Sequence, residues 1–165
     1  LVSQHQAQVY AWSYRLVQNH HDALDICQDA LLKLWQAHNK GQPIRNTSAW
    51  LRRITINLAI DMIRSQRAKF ETSAQPDGRM DAQGSPQVMA QKRETGARLA
   101  DALSSLSDHQ KCVLVAKVFD GLKFSQVARQ MGISASTAKT HYLRALRALK
   151  EKLGRAWLEG ELHND

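Results

Sequence analysis

The stretch Phe124-Ser-Gln-Val-Ala-Arg-Gln-Met-Gly-Ile-Ser-Ala-Ser-Thr-Ala-Lys-Thr-His-Tyr-Leu-Arg-Ala-Leu-Arg-Ala-Leu149 decides how this chain is read. Ser125 is placed to cap a short helix over 126–131, Gly132 to make a turn, and Ser134 to cap a longer helix from Ala135. Ala128 and Gly132, four apart, supply the small residue and tight-turn glycine of a helix-turn-helix. The second helix of that motif lies in the major groove of DNA with its early residues at base edges. Ser134 at its cap, then Ser136, Thr137, Lys139, Thr140, His141 and Arg144, are the candidate contacts. Lysine and arginine read guanine or hold phosphate, while hydroxyls mostly fix position. The competing reading is a plain helical hairpin with a solvated basic face; the coincidence of cap, turn and basic helix argues against it.

Charge over the whole chain points the same way. The 165 residues carry 23 Lys and Arg against 15 Asp and Glu, a net of +8, with a pI near 9.8. Such a balance favours a polyanionic partner, nucleic acid before an anionic membrane surface. The excess is divided: residues 41–67 hold five basic groups against Asp61, and residues 98–165 hold eleven against seven, while 1–40 and 68–97 balance. The neutral stretch 68–97 contains two of the three prolines and no sustained apolar period, so it reads as a flexible linker, with Gln87–Gly96 at its far end as frayed helix. No apolar run approaches the ~20 residues of a membrane span. The chain opens at Leu1 without a methionine, as a processed or truncated start would, and no secretory leader is expected. Cys27 and Cys112 are too few for a disulfide framework and suit a reducing cytoplasm.

Before the linker the chain also reads as helical. Ala23, Ile26, Cys27, Ala30, Leu31, Leu34 and Trp35 follow the spacing of one buried helix face, with Asp22 as its cap. Gly41 and Pro43 interrupt, and Ser48 is placed to cap a helix running to Arg67. On that helix Arg53, Asn57, Asp61 and Arg64 share one narrow sector, opposite Leu51, Ile54, Leu58 and Met62. The polar strip suits either nucleic-acid contact or a solvated face. Trp50 is placed to stack on an unpaired base or to pack into a core. Asp22, Asp25, Gln28, Asp29 and Leu32 form an acidic-polar side that would repel DNA and therefore suits a protein partner or plain solvation. Beyond the linker, Leu99, Leu103 and Leu106 mark a helix, and Ser107 with Gln110 makes a capping box for another ending at Asp120-Gly121. No stretch alternates convincingly. The expected fold is all-α: two small helical domains joined by a flexible linker, the C-terminal one a helix-turn-helix.

These blocks resemble a known family. Asp22-Ala-Leu-Asp-Ile-Cys-Gln-Asp-Ala-Leu-Leu-Lys-Leu-Trp35 is similar to the second region of bacterial sigma factors of the extracytoplasmic-function group. Ala49-Trp-Leu-Arg-Arg-Ile-Thr-Ile-Asn-Leu-Ala-Ile-Asp-Met-Ile-Arg64 resembles the adjoining helix that melts the promoter and reads its −10 element. Leu103-Ser-Ser-Leu, Phe119-Asp-Gly-Leu-Lys-Phe-Ser-Gln-Val-Ala and Ser134-Ala-Ser-Thr-Ala-Lys-Thr-His resemble the fourth region, which reads the −35 element. The resemblance implies region 2 over 1–67, a linker over 68–97 and region 4 over 98–165. It implies that Asp25, Gln28, Asp29, Leu32 and Trp35 dock on the β′ clamp helices of core RNA polymerase. Lys33, Trp50, Arg53, Asn57, Asp61 and Arg64 would then belong to the −10 surface, and the residues from Ser134 to Arg144 named above to the −35 surface. The β flap, promoter DNA and an anti-sigma factor are the further partners it implies, with no cofactor. Three departures stand out: Ala138 where valine or isoleucine is usual, which implies a looser seat for the recognition helix; Leu31 for a common phenylalanine; and no aromatic in the Gly41–Thr47 loop.

Two rival classes remain. A LuxR-type regulator shares the pattern Ser136-Thr-Ala-Lys-Thr-His141 but leaves the 22–64 blocks unexplained. An enzyme or metal sensor would need more than His20, His21 and Cys27, and no Cys-x-x-Cys, His-Glu-x-x-His or phosphate loop occurs. Catalytic and metal-binding residues are therefore not expected. Geometry adds a constraint: elements ~25 base pairs apart are ~85 Å apart at 3.4 Å each. A thirty-residue linker reaches ~100 Å extended but only ~30 Å as a relaxed coil. Polymerase would have to hold the span.

Overall fold

The computed structural model describes residues 2–72 and 85–154. Among them are seven α-helices and no strand: α1 (Val2–Val17), α2 (His20–Asn39), α3 (Thr47–Thr72), α4 (Pro86–Ser104), α5 (Asp108–Val118), α6 (Phe124–Met131) and α7 (Ala135–Leu153). The all-α expectation holds. At the near end of the expected linker α3 continues through 68–72; at its far end α4 begins at Pro86, whose fixed φ suits a first helical turn, and takes in the stretch Gln87–Gly96 read as frayed helix. The expected linker residues 73–84 lie outside the described residues.

The first three helices close one core from Val9 and Trp12, Cys27, Ala30, Leu31 and Leu34, and Leu51. Helix α1 has no counterpart in the periodicity reading, because its buried face includes Ser13, whose hydroxyl donates to the Val9 carbonyl at 2.8 Å. Two caps also move. Asn19 rather than Asp22 caps α2, accepting from the Asp22 amide at 3.0 Å. Asn46 rather than Ser48 opens α3, accepting from the Ala49 amide at 2.9 Å. An asparagine oxygen one residue before the helix reaches the third amide, which a residue already inside the helix cannot do.

Helices α5 to α7 build the helix-turn-helix. The Ser107–Gln110 capping box is present, with the Gln110 amide 3.2 Å from the Ser107 hydroxyl and the Ser107 amide donating to the Gln110 side chain at 3.1 Å. Helix α5 stops at Val118, short of the expected Asp120-Gly121. Lys123, not Ser125, is the N-cap of α6, because the Gln126 side chain reaches back to accept from the Lys123 amide at 2.8 Å. Gly132 takes the left-handed φ of +68° that ends α6, and the Ile133 amide returns to the Ala128 carbonyl at 3.0 Å. Ser134 caps α7 through the Thr137 amide at 3.1 Å. Ala138 is fully buried with Val113, Ala116, Val127 and Ala128.

A third core joins the two halves. Ile56 and Ile60 of α3 pack with Leu103, Leu106, Cys112, Leu114, Val115, Ala145 and Leu149. Helix α3 thus carries two apolar faces, Leu51, Ile54 and Leu58 toward α1 and α2, and Ile56 and Ile60 toward α4, α5 and α7. A helix with two apolar faces is one that the fold covers on two sides. Replacing Ile56 with alanine should lower stability by about 2–5 kcal/mol in urea titration. Lys69→Ala, on an exposed turn of the same helix, should stay within about 0.5 kcal/mol of the parent.

Candidate nucleic-acid interface

The side chains expected to touch nucleic acid fall on two helices, α3 and α7, whose surroundings differ. On α7, Ser134, Ser136, Thr137, Lys139, Thr140 and Arg144 are all exposed. The first three hydroxyls form a cluster, Ser134 lying 2.9 Å from Ser136 and 2.7 Å from Thr137. The Thr140 hydroxyl donates inward to the Ser136 carbonyl at 3.0 Å, leaving its oxygen to accept. Lys139 and Arg144 have no ion-pair partner among the described residues, so both cations are free for a phosphate or a guanine edge.

His141 is placed differently from its neighbours. Its ring stacks on His109 of α5 at 5.4 Å and 14°, and its Nδ1 is buried without a partner. Burial, then the nearby charges of His109 and Arg144, lower its pKa from the ordinary 6.5. It sits on α7 as a half-buried ring whose neutral form burial favours.

On α3 the polar strip is already engaged. Lys111 of α5 donates to Asn57 Oδ1 at 2.9 Å, and Asn57 Nδ2 donates to Asp108 Oδ1 at 3.5 Å. Arg53 Nε lies 4.0 Å from Asp108, and Arg64 Nε lies 3.5 Å from Asp101 of α4. Asp61 is exposed. Trp50, expected with this strip, is instead half-buried against the α1–α3 core with its indole N–H enclosed, because the helix start turns that residue inward. Lys33 is exposed on α2.

Beside the strip lies a cluster that the periodicity reading did not include. Arg52 is 1% exposed, stacks over the Trp12 ring at 4.8 Å, and donates to Asp120 at 2.7 Å and to Gln130 at 2.8 Å. Asp120 also accepts from the Trp12 indole at 2.9 Å, and Arg15 lies 3.5 Å away. These partners are 68 and 108 residues from Asp120 in sequence, so no local pattern announces them. The available signal is the surplus of apolar residues around α3, which leaves the Arg52–Ile56–Ile60 side needing a cover.

The acidic-polar side of α2 faces solvent. Asp25, Gln28 and Asp29 are exposed, and beside them Leu32 and Trp35 are 50% and 54% exposed. Large apolar side chains left in water beside carboxylates fit a protein contact and not DNA. Among the described residues no three His, Cys, Asp or Glu side chains converge as a metal-binding group, and no helix is long and apolar enough to cross a membrane.

Comparison with known proteins identifies the family. The model of Sigma-70 region 2 matches residues 1–69 and that of Sigma-70, region 4, matches residues 96–149. SigL of Mycobacterium tuberculosis, an ECF RNA polymerase sigma factor, is 32% identical over 93% of this chain and 89% of its own length. The chain belongs to the ECF RNA polymerase sigma factors. SigE of Mycolicibacterium smegmatis, another ECF sigma factor, is 30% identical over 94% of this chain, which spans 61% of that longer protein. A co-crystal structure of the sigma factor RpoE with the anti-sigma factor NepR from Bartonella quintana is similar at 24% identity, 90% coverage of this chain, 91% of that one, and a TM-score of 0.46. In this ECF sigma factor Lys139 and Arg144 of α7 are open to solvent, while the polar strip of α3 is held by Asp101, Asp108 and Lys111 of the other half.

The depressed His141 pKa carries a sign. The fold favours the neutral ring, so the unfolded chain takes up its proton at a higher pH than the folded one. Stability from this group is therefore intact above 6.5 and falls as pH drops from there through the lower folded value. Melting temperatures measured between pH 7.5 and 5 should fall less steeply for His141→Gln than for the parent.

Proposed function

We propose that this ECF sigma factor binds core RNA polymerase in the cytoplasm and directs it to promoters through −10 and −35 elements. Residues 1–67 act as region 2, 98–165 as region 4, and 68–97 as the connection between them. One observation carries the reading: a single chain combines an unpaired basic recognition helix with an α2 face that would repel DNA but offers Leu32 and Trp35 to a protein. Asp25, Gln28, Asp29, Leu32 and Trp35 meet the β′ clamp helices, and region 4 meets the β flap. The α7 residues from Ser134 to Arg144 read the −35 element. Arg53, Asn57, Asp61 and Arg64, with Lys33 nearby, form the −10 surface. No residue is assigned a catalytic role, and no cofactor is required. A free-standing LuxR-type regulator is not favoured, because it gives the region 2 match no purpose. An anti-sigma factor is a further partner in keeping with the family.

Run-off transcription with core polymerase on a randomised promoter library tests the reading. Wild type should select two-element promoters, and the chain alone should bind duplex DNA weakly. Asp25→Lys with Asp29→Lys should abolish competition for core polymerase at unchanged helix content, since charge reversal in a contact patch costs more in binding than solvated charge costs in stability. If Arg144 reads a guanine with both guanidinium nitrogens, Arg144→Ala should cost about 1–3 kcal/mol and relax one upstream position. Asn57→Ala should alter the downstream element alone. Uniform weakening of every promoter by both substitutions would make the two residues phosphate contacts.

A further inference from the structure

The residues that hold the α3 strip present the chemistry of a nucleic acid. Lys111 offers a donor and Asp108 an acceptor to the two ends of the Asn57 amide. An adenine edge offers an asparagine the same pair, a donor beside an acceptor. The second oxygen of Asp108 lies 4.0 Å from Arg53, where a phosphate oxygen would be expected, and Asp101 lies 3.5 Å from Arg64 and 2.8 Å from Arg67. Three of the four strip residues are thus matched in sign and hydrogen-bonding type by side chains of α4 and α5. Beneath them the Arg52–Asp120 pair and the Ile56–Ile60 face keep the two halves together.

We propose that region 4 of the free chain occupies the −10-reading strip of region 2 as an intramolecular mimic of single-stranded DNA, with Asp108 and Lys111 standing in for a base edge and Asp101 for a phosphate. Promoter DNA and region 4 then compete for Asn57, Arg53 and Arg64, and binding of the −10 strand requires the halves to part. The inference rests on the −10 role given to this strip under Proposed function. Apparent affinity falls by the fraction of chains that are competent, so a chain open about one part in ten binds about tenfold more weakly than its intrinsic limit.

The test is the affinity of the full chain, by fluorescence anisotropy, for a labelled single-stranded DNA carrying the −10 element that the wild-type holoenzyme selects. A scrambled strand serves as control. Asp108→Ala with Lys111→Met removes the base-edge part of the mimic and leaves the net charge unchanged, so a general electrostatic gain is excluded. Asp120→Asn weakens the hold between the halves at nearly constant shape, with circular dichroism and small-angle scattering reporting its fold and its opening. The double variant should bind the −10 strand about tenfold more tightly than wild type and the scrambled strand no better. Asp120→Asn should do the same with an increased radius of gyration; if it unfolds, the double variant decides alone. Equal affinities of wild type and a folded double variant would overturn the proposal. Promoter selection by Asn57→Ala holoenzyme separates the two levels. An altered −10 preference beside unchanged strand affinity removes the mimic alone. An unaltered −10 preference removes the reading of the strip and the mimic with it.

Discussion

A guanidinium buried to 1% exposure needs a counter-charge, and in this protein Asp120 supplies it across the boundary between two helical units. A charge taken out of water is tolerated only when it is paired and hydrogen-bonded. The two terminal nitrogens of Arg52 meet that demand with Gln130 and Asp120 above the face of Trp12, while its Nε is buried without a partner, and Asp120 is in turn held by the Trp12 indole. Removing one member of such a pair typically destabilises by about 3–5 kcal/mol, because the other is left charged and enclosed. The ion pair ties α3 to the loop between α5 and α6, and the Arg52–Gln130 hydrogen bond ties it to α6.

Helix α3 pays a double role through its composition. Its Leu51 side completes the core of the first three helices, and its Ile56 and Ile60 side completes that of α4, α5 and α7. Beside these faces lies the polar strip, where side chains of α4 and α5 meet Arg53, Asn57 and Arg64. The exposed ion pairs of Arg64 and Arg67 with Asp101 add little stability on their own. Their effect is on register, since each fixes which polar residue of α3 faces which carboxylate.

How much of this was legible depended on the range of the interaction. The helix-turn-helix could be read because its determinants are local: a left-handed glycine at 132, a capping serine at 134 and alanines at the close approach. The buried face of α2 and the Ser107–Gln110 box were legible for the same reason. The caps at Asn19, Asn46 and Lys123 lie two or three residues before the expected ones, because several nearby side chains could serve and only backbone geometry selects among them. The polar strip on α3 was found by its period, but its partners were not, since Asp108 lies 51 residues from Asn57. For Trp50 the sequence left stacking on a base and packing into a core both open, because an aromatic at a helix start carries no mark of which way the start turns; the side chain packs against the first core. In composition Arg52 is one more positive charge beside Arg53; only its helical neighbours Ile56 and Ile60 mark its side of α3 as interior.

The two cysteines fall on opposite sides of this architecture. Cys27 sits in the core made by α1, α2 and α3 alone, its thiol reaching the Gln6 carbonyl at 3.6 Å. Cys112 sits in the core that α3 shares with α4, α5 and α7, and burial pushes its pKa up to about 11. Only thiolates react with alkylating reagents, so both sulfurs are chemically quiet while the halves are joined. Parting the halves strips Ile56 and Ile60 from around Cys112 and leaves the surroundings of Cys27 intact. The chain thus carries its own reporter and its own internal standard for the separation of its two halves, read as the ratio of two alkylation rates.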